Sequence, residues 1–214
     1  MMHRVVDTGR LVRGFAKGLA GIAVAAALAG CISIGPGDPT PRTWYELAMP
    51  PTAEPAPRTD PRSLWIDVLA GSSFYEAVAI AFSRAPAQRA YYQFASWTEP
   101  VDERLARIVE RNLRDRKLFA DVGTVGGGTR AQLYLRIVVK DFYHDAAVEP
   151  GVVRVAFSVE LLEVATRRIL GREDFSRDAP VAQADAASAV AAFDVAVAGT
   201  LDELADWLAR TVAP

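Results

Sequence analysis

The residue with the most distinctive chemistry in this chain is Cys31, the only cysteine among 214 residues. Its thiol directly follows Leu28-Ala29-Gly30, which ends an apolar run over residues 19–30. The residues before that run carry four basic side chains and one acidic side chain, namely Arg4, Arg10, Arg13, Lys17 and Asp7. A basic leader, a short apolar segment and small residues at its end are typical of a secretion signal. We therefore expect export of the chain and cleavage at the small residues that end the apolar run.

The four residues 28–31 resemble the lipobox of bacterial lipoproteins. In that pattern the cysteine is lipid-modified and becomes the first residue of the mature protein. The apolar run is about a dozen residues, shorter than the roughly 20 that a membrane span needs. Acyl chains would provide the anchor, since each buried methylene contributes about 0.8 kcal/mol and stable anchoring needs more than one chain. The alternative is a plain amphipathic helix with a buried cysteine.

The residue after the cysteine indicates which membrane receives the anchor. Ile32 stands where an aspartate would mark inner-membrane retention in the enterobacterial lipoprotein pattern. By that resemblance we expect a lipid-anchored protein of the outer membrane that faces the periplasm.

The other reactive residue types do not form a recognisable catalytic or metal-binding pattern. His144 is the one histidine after the leader, and Asp141 and Asp145 are near it, but no serine has a Gly-x-Ser-x-Gly setting. The acidic pairs at 173–174 and 202–203 are better explained as solvated faces than as a metal or glycosidase site. Zinc sites use clusters of cysteine and histidine, which the chain lacks. We predict no catalytic residue, no metal, no cofactor and no enzymatic activity.

Composition restricts the partners of the mature chain. Residues 31–214 contain 20 basic and 25 acidic residues, which gives a net charge of about −5. A nucleic-acid surface would need a basic face, so we expect no nucleic-acid partner. With Cys31 committed to lipid, no thiol remains for a disulfide, and the hydrophobic core must stabilise the fold by itself.

Proline usage and hydrophobic periodicity divide the chain into three parts. We predict a signal peptide over 1–30, a lipidated and proline-rich tether over 31–61, and a single domain over 62–214. Eight of the 13 prolines lie in the tether, and proline favours extended, semi-rigid chain. An aromatic island at 43–47 predicts a short strand within it.

Alternating and helical patterns predict the elements of the domain. The predicted strands cover residues 63–69, 76–84, 89–95, 131–143, 152–164 and 169–175, and the predicted helices cover 99–118 and 186–209. Thr98 is the expected N-cap of the first helix, with Pro100 in its first turn. The last three strands form an antiparallel meander. The order favours an α+β fold, a mainly antiparallel sheet with two helices packed on one face.

Four aromatic residues in the third strand and just after it are candidates for the core or for an interface. Tyrosine and tryptophan serve both roles, because they combine large apolar area with a polar group. We expect Tyr92, Phe94 and Trp97 to lie mainly in the core and Tyr91 to point outward. Tyr91, Tyr92 and Trp97 are the candidate partner contacts.

The chain resembles the ABC-type transport auxiliary lipoprotein family, which includes the paraquat-inducible operon lipoprotein. The resemblance lies in an ordered set of segments before the first helix, namely residues 82–86, Tyr91-Tyr92 and 97–100. The likeness extends to the lipobox, the tether, Tyr45-x-Leu47 and the C-terminal helix. The chain departs from the family at Ala79–Phe82, which is more apolar than usual. The resemblance implies an accessory role in a transport system that moves a hydrophobic molecule. Its partners would be MCE (mammalian-cell-entry) domain proteins and an inner-membrane ABC transporter. The family has no known catalytic motif, so the resemblance implies no catalytic residue here.

Our hypothesis is therefore an outer-membrane-anchored adapter that docks the MCE assembly through a sheet surface or a sheet edge. One alternative is a periplasmic lipid carrier, which would need an apolar cavity between the helices and the sheet. Another is an assembly-factor lipoprotein for a different outer-membrane complex. Self-association into a homo-oligomer is also open.

Overall fold

Alternating apolar residues build one mixed sheet of eight strands within residues 41–51, 54–126 and 130–213, the parts of the chain that the computed structural model describes. The predicted signal peptide, Cys31 and the start of the tether lie outside these residues. The strands are β1 (Thr43–Tyr45), β2 (Asp60–Ala70), β3 (Ala79–Ser83), β4 (Ala90–Trp97), β5 (Phe119–Thr124), β6 (Leu133–Asp145), β7 (Val152–Glu163) and β8 (Arg168–Pro180). The helices are α1 (Val101–Asp115) and α2 (Ala186–Thr211), with one 3₁₀ turn at Ser73–Tyr75.

Strand β6 is the centre of the sheet because it pairs with three strands. It pairs with β7 along its whole length in antiparallel register, and β7 pairs in the same way with β8, so the predicted meander is confirmed. On its other side, β6 runs parallel to β2 and, at its last residues, to β3. Strand β5 pairs in parallel with β2, β4 pairs antiparallel with β3, and β1 pairs in parallel with β4.

The predicted α+β architecture is confirmed, with both helices on one face of the sheet. From Leu133 to Val139 every second residue of β6 is buried, whereas Arg136 and Lys140 on the opposite face are exposed. Helix α1 covers β2 and β5, and α2 covers β7 and β8. The centre of the core is aromatic: Phe142 stacks on Phe193 at 4.4 Å between ring centroids. One face of the sheet is thus covered by the two helices, and the other face carries no helix within the described residues.

The two helices begin in different ways. The prediction that Thr98 caps α1 is wrong, because Pro100 is the N-cap residue and makes no side-chain capping bond. The Thr98 N–H instead donates to the Tyr45 carbonyl, which ties β1 to the end of β4. Helix α2 has a side-chain cap, because the Asp185 carboxylate accepts a hydrogen bond from the Ser188 N–H at 2.7 Å.

Part of the predicted tether belongs to the folded unit, which begins at Pro41. Strand β1 joins the sheet, and Leu47 is buried in the core. The Leu47 carbonyl accepts from Arg104 Nε at 2.9 Å, and the Ala48 N–H donates to Asp194 on α2 at 2.8 Å. These bonds fix the entry of the chain against both helices.

Candidate docking surfaces

The aromatic residues proposed as partner contacts lie in three different environments. Trp97 is a core residue: it is 3% exposed, and its ring meets Phe142 and Phe193 edge-on, at 6.1 and 5.6 Å between centroids. In this conformation its side chain is not part of a surface that a partner could contact. The Trp97 side chain therefore serves packing, and we expect a partner to contact other residues.

Tyr92 is half-buried and holds the only histidine of the described chain. Its hydroxyl lies 2.7 Å from His144 Nδ1, and His144 Nε2 lies 2.8 Å from the Pro150 carbonyl oxygen. Because a carbonyl can only accept, Nε2 carries the proton and Nδ1 accepts from Tyr92. Burial raises the pKa of the Tyr92 hydroxyl to about 12. His144 lies at the end of β6, as expected, and both of its ring nitrogens are engaged in structural hydrogen bonds.

Tyr91 points outward, as predicted, with 39% of its area exposed. Its ring stacks on Phe74 at 4.2 Å between centroids, and its hydroxyl donates to the Phe74 carbonyl at 2.9 Å. Burial is the main reason that the pKa of the Tyr91 hydroxyl is raised. Tyr91 and Tyr92 also line an open pocket of about 300 Å³ that contains Arg84 and Glu149. These two tyrosines are therefore the predicted contacts that reach the surface.

The prediction that Phe94 is a core residue is wrong, because it is 46% exposed. The reason is the alternation of side chains at the end of β4: Ala95 and Trp97 enter the core, so Phe94 lies on the opposite face. The pairing of β4 with β3 is also irregular, because Ala79 pairs with Ser96 but Ala81, only two residues later, pairs with Tyr91.

The face of the sheet that carries no helix contains an apolar row that the sequence analysis did not single out. Trp65 on β2 pairs with Tyr134 on β6, which pairs with Leu162 on β7, which pairs with Ile169 on β8. Cross-strand partners share one face of a sheet, so these four side chains lie side by side. On β5 the residue opposite Trp65 is Gly123, and a Cβ there would meet nothing within 4 Å. The row is therefore open at its β5 end.

Three residues of this row, Trp65, Tyr134 and Leu162, form the floor of an apolar groove, which has a volume of about 300 Å³. Its lining residues are Trp65, Val125, Tyr134, Leu162, Glu163, Val164 and Arg167. The two valines are well exposed, 52% for Val125 and 43% for Val164. The indole N–H of Trp65 is buried and has no hydrogen-bond acceptor among the described residues. We call this feature the open-face groove.

A second row of cross-strand partners, next to the apolar row on the same face, is entirely charged. Asp67 pairs with Arg136, which pairs with Glu160, which pairs with Arg172. Arg172 Nε lies 2.6 Å from Glu160 Oε2. The Asp67 carboxylate accepts a hydrogen bond from the Tyr134 hydroxyl, whose pKa is raised by burial first and by Asp67 second. An apolar floor beside a polar border is the composition of a protein interface.

Two further properties bear on the chemistry of the molecule. Within residues 41–51, 54–126 and 130–213, neither helix combines the length and the apolar character that a membrane span requires. In the same residues, histidine, cysteine, aspartate and glutamate side chains form no cluster of three or more that could hold a metal ion.

Comparison with known proteins identifies relatives at the level of family and fold. The family model described as the ABC-type transport auxiliary lipoprotein component matches residues 45–205. A solved protein of family DUF330 from Xanthomonas campestris is 22% identical, with a TM-score of 0.70, and the match covers 79% of this chain and 96% of that one. An uncharacterised solved protein is 15% identical, with a TM-score of 0.60, and covers 81% of this chain and 99% of its own. The comparison with curated proteins gave no match.

Proposed function

This chain belongs to the ABC-type transport auxiliary lipoprotein family, and from that premise we propose that it is the outer-membrane adapter of a lipid transport system. A lipid on Cys31 anchors the protein so that it faces the periplasm. The folded unit holds an MCE-domain protein, which works with an inner-membrane ABC transporter. The protein acts by binding and not by catalysis.

The observation that carries the proposal is the open-face groove. Within the described residues, the opposite face of the sheet is covered by α1 and α2, so the apolar residues of the groove are on the face that remains open to a partner. Trp65 and Tyr134 form its floor, and large aromatic residues provide much of the binding energy at protein interfaces. The unpaired indole N–H of Trp65 also favours a partner that brings a hydrogen-bond acceptor, because a buried donor without a partner costs about 1–3 kcal/mol.

The interior supports an adapter over a lipid carrier. The carrier hypothesis needs a cavity between the helices and the sheet, but large side chains with almost no exposed area occupy this layer. They include Phe142, Phe193, Leu105, Ile108 and Leu113. A lipid chain could enter there only by displacing packed residues, and each large side chain that loses its burial costs about 1.5–3 kcal/mol.

Variants of the two exposed groove valines test the proposal. Val125→Glu and Val164→Glu place a charge on the apolar surface, while their exposure leaves the fold intact. The matched control is Val195→Glu, which changes another exposed valine, on α2 and therefore on the helical side. Lipidated protein is isolated from membranes of the native host, and the proteins that copurify are quantified by mass spectrometry.

We expect wild type and Val195→Glu to recover an MCE-domain protein and its ATPase, and each groove variant to recover at least about tenfold less. A tenfold loss corresponds to about 1.4 kcal/mol, less than the cost of an unpaired buried charge. Equal recovery by all variants would contradict docking through this groove. Recovery of a β-barrel protein without an MCE protein would favour the assembly-factor alternative.

A further inference from the structure

Strand β1 carries an exposed tryptophan close to the point where the chain enters the folded unit. Trp44 is 54% exposed and pairs with Ser96 on β4. Phe94, also exposed, lies two residues before Ser96 on the same strand. The side chains of Ala95 and Trp97, which alternate with these residues, enter the core. Trp44 and Phe94 therefore lie on the outer face of this edge of the sheet.

The edge is held firmly, so these aromatic side chains have a defined direction. Arg42 donates hydrogen bonds to Ser96 Oγ at 3.1 Å and to the Gln93 carbonyl at 3.3 Å. Two residues after Trp44, Glu46 forms an ion pair with Arg104 at 2.6 Å. The chain is thus fastened to the sheet on both sides of Trp44.

The length of the preceding chain limits how far this edge can be from a bilayer. Ten residues, 31–40, separate a lipid on Cys31 from the first described residue, Pro41. Fully extended, they reach at most about 35 Å. A folded unit of about 170 residues has a radius of gyration of about 16 Å and is therefore about 40 Å across. Along the chain, β1 is the first element of the folded unit after the anchor, and β8 lies on the other side of the central strand β6.

We propose that Trp44 and Phe94 contact the interfacial region of the membrane, so that the β1 edge rests on the bilayer. This inference rests on the proposed lipid anchor at Cys31. Tryptophan is enriched at membrane–water interfaces, because its ring is amphipathic and sits at the level of the headgroups. A second contact besides the acyl chains orients the unit and directs its remaining surface into the periplasm.

Tryptophan fluorescence tests the contact directly. The lipidated full chain is reconstituted into phosphatidylethanolamine–phosphatidylglycerol vesicles with and without brominated acyl chains, which quench nearby indoles. The other three tryptophans, Trp65, Trp97 and Trp207, are present in both proteins, so the difference between wild type and Trp44→Phe isolates the emission of Trp44. The matched control is Ile169→Trp in the Trp44→Phe background, which places an indole at an exposed position on β8.

We expect brominated vesicles to reduce the Trp44 emission at least about twofold and to leave the indole at position 169 unchanged. Unquenched Trp44 in protein that floats with the vesicles would overturn the contact while leaving the anchor intact. Protein that does not float would overturn the anchor and the contact together. Trp44 emission that shifts only when an MCE-domain protein is added would assign this edge to the protein partner and overturn the membrane contact.

Discussion

Comparing Trp97→Ala with Tyr91→Ala tells which of these two candidate partner contacts packs in the core and which lies on the surface. Trp97 lies between two core phenylalanines, whereas Tyr91 lies on the surface and stacks on Phe74. The two substitutions remove aromatic rings that are six residues apart on one strand. They should nevertheless change the free energy of unfolding by very different amounts.

The magnitude follows from burial. Truncating a buried aromatic side chain to alanine costs about 3–5 kcal/mol, because apolar contacts are lost and a cavity remains. Trp97→Ala should therefore lower the melting temperature by about 6–20 °C in a unit of this size. Tyr91→Ala removes one exposed stacking contact and one hydrogen bond, so a loss of about 0.5–1.5 kcal/mol is expected.

Urea denaturation followed by circular dichroism provides the assay. The sample is the chain from residue 31 onward with Cys31→Ser, which is free of lipid and contains the folded unit. A Trp97→Ala variant that loses less than about 1 kcal/mol would refute the placement of this ring in the core. Equal losses for Trp97→Ala and Tyr91→Ala would refute the assignment of the two residues to different environments.

Two further substitutions test local features of the fold. Because burial raises the pKa of folded Tyr92 to about 12, its neutral hydroxyl stabilises the fold fully below pH of about 10, the pKa of an unfolded tyrosine, and this contribution disappears as the pH rises from 10 to 12. Tyr92→Phe should remove that part of the pH dependence of the free energy of unfolding, measured by urea unfolding at several pH values. It should also cost about 1–3 kcal/mol at pH 7, because His144 Nδ1 loses its hydrogen-bond donor. An alkaline profile equal to that of the wild type would contradict the burial of the Tyr92 hydroxyl. On α2, a Cβ on Gly199 would lie 2.6 Å from the Arg177 guanidinium, which would have to move. Gly199→Ala should therefore stabilise more, by up to about 1 kcal/mol, when Arg177→Ala is also present. Additive effects in the double-mutant cycle would show that the two residues do not interact.

Periodicity predicts the elements whose pattern is long. The alternation in β6 and β7 and the apolar stripe of α2 extend over twelve or more residues, and the structure has all three close to the predicted bounds. Strand β5 was not predicted, because it is six residues long and contains Gly123, which weakens a strand. Its conformation comes from parallel pairing with β2, a contact between residues far apart in sequence.

The surface features depend on tertiary contacts in the same way. The exposure of Phe94 follows from which face of β4 packs on the core, and that face carries Ala95 and Trp97. The open-face groove joins Trp65 to Leu162, and only the register of β2, β6 and β7 brings them together. The aromatic cluster at 91–97 was found from composition alone, but separating Tyr91 from Trp97 requires knowing which side chain enters the core.

Photo-crosslinking in cells of the native host tests whether the open-face groove holds the proposed MCE-domain partner. A photoreactive amino acid replaces Val164 in the groove or, as the control, Val195 on α2, and the crosslinked products are identified by mass spectrometry. We expect an adduct with an MCE-domain protein from position 164 and none from position 195. An MCE adduct from position 195 alone, or position 164 crosslinking only to other proteins, would contradict it.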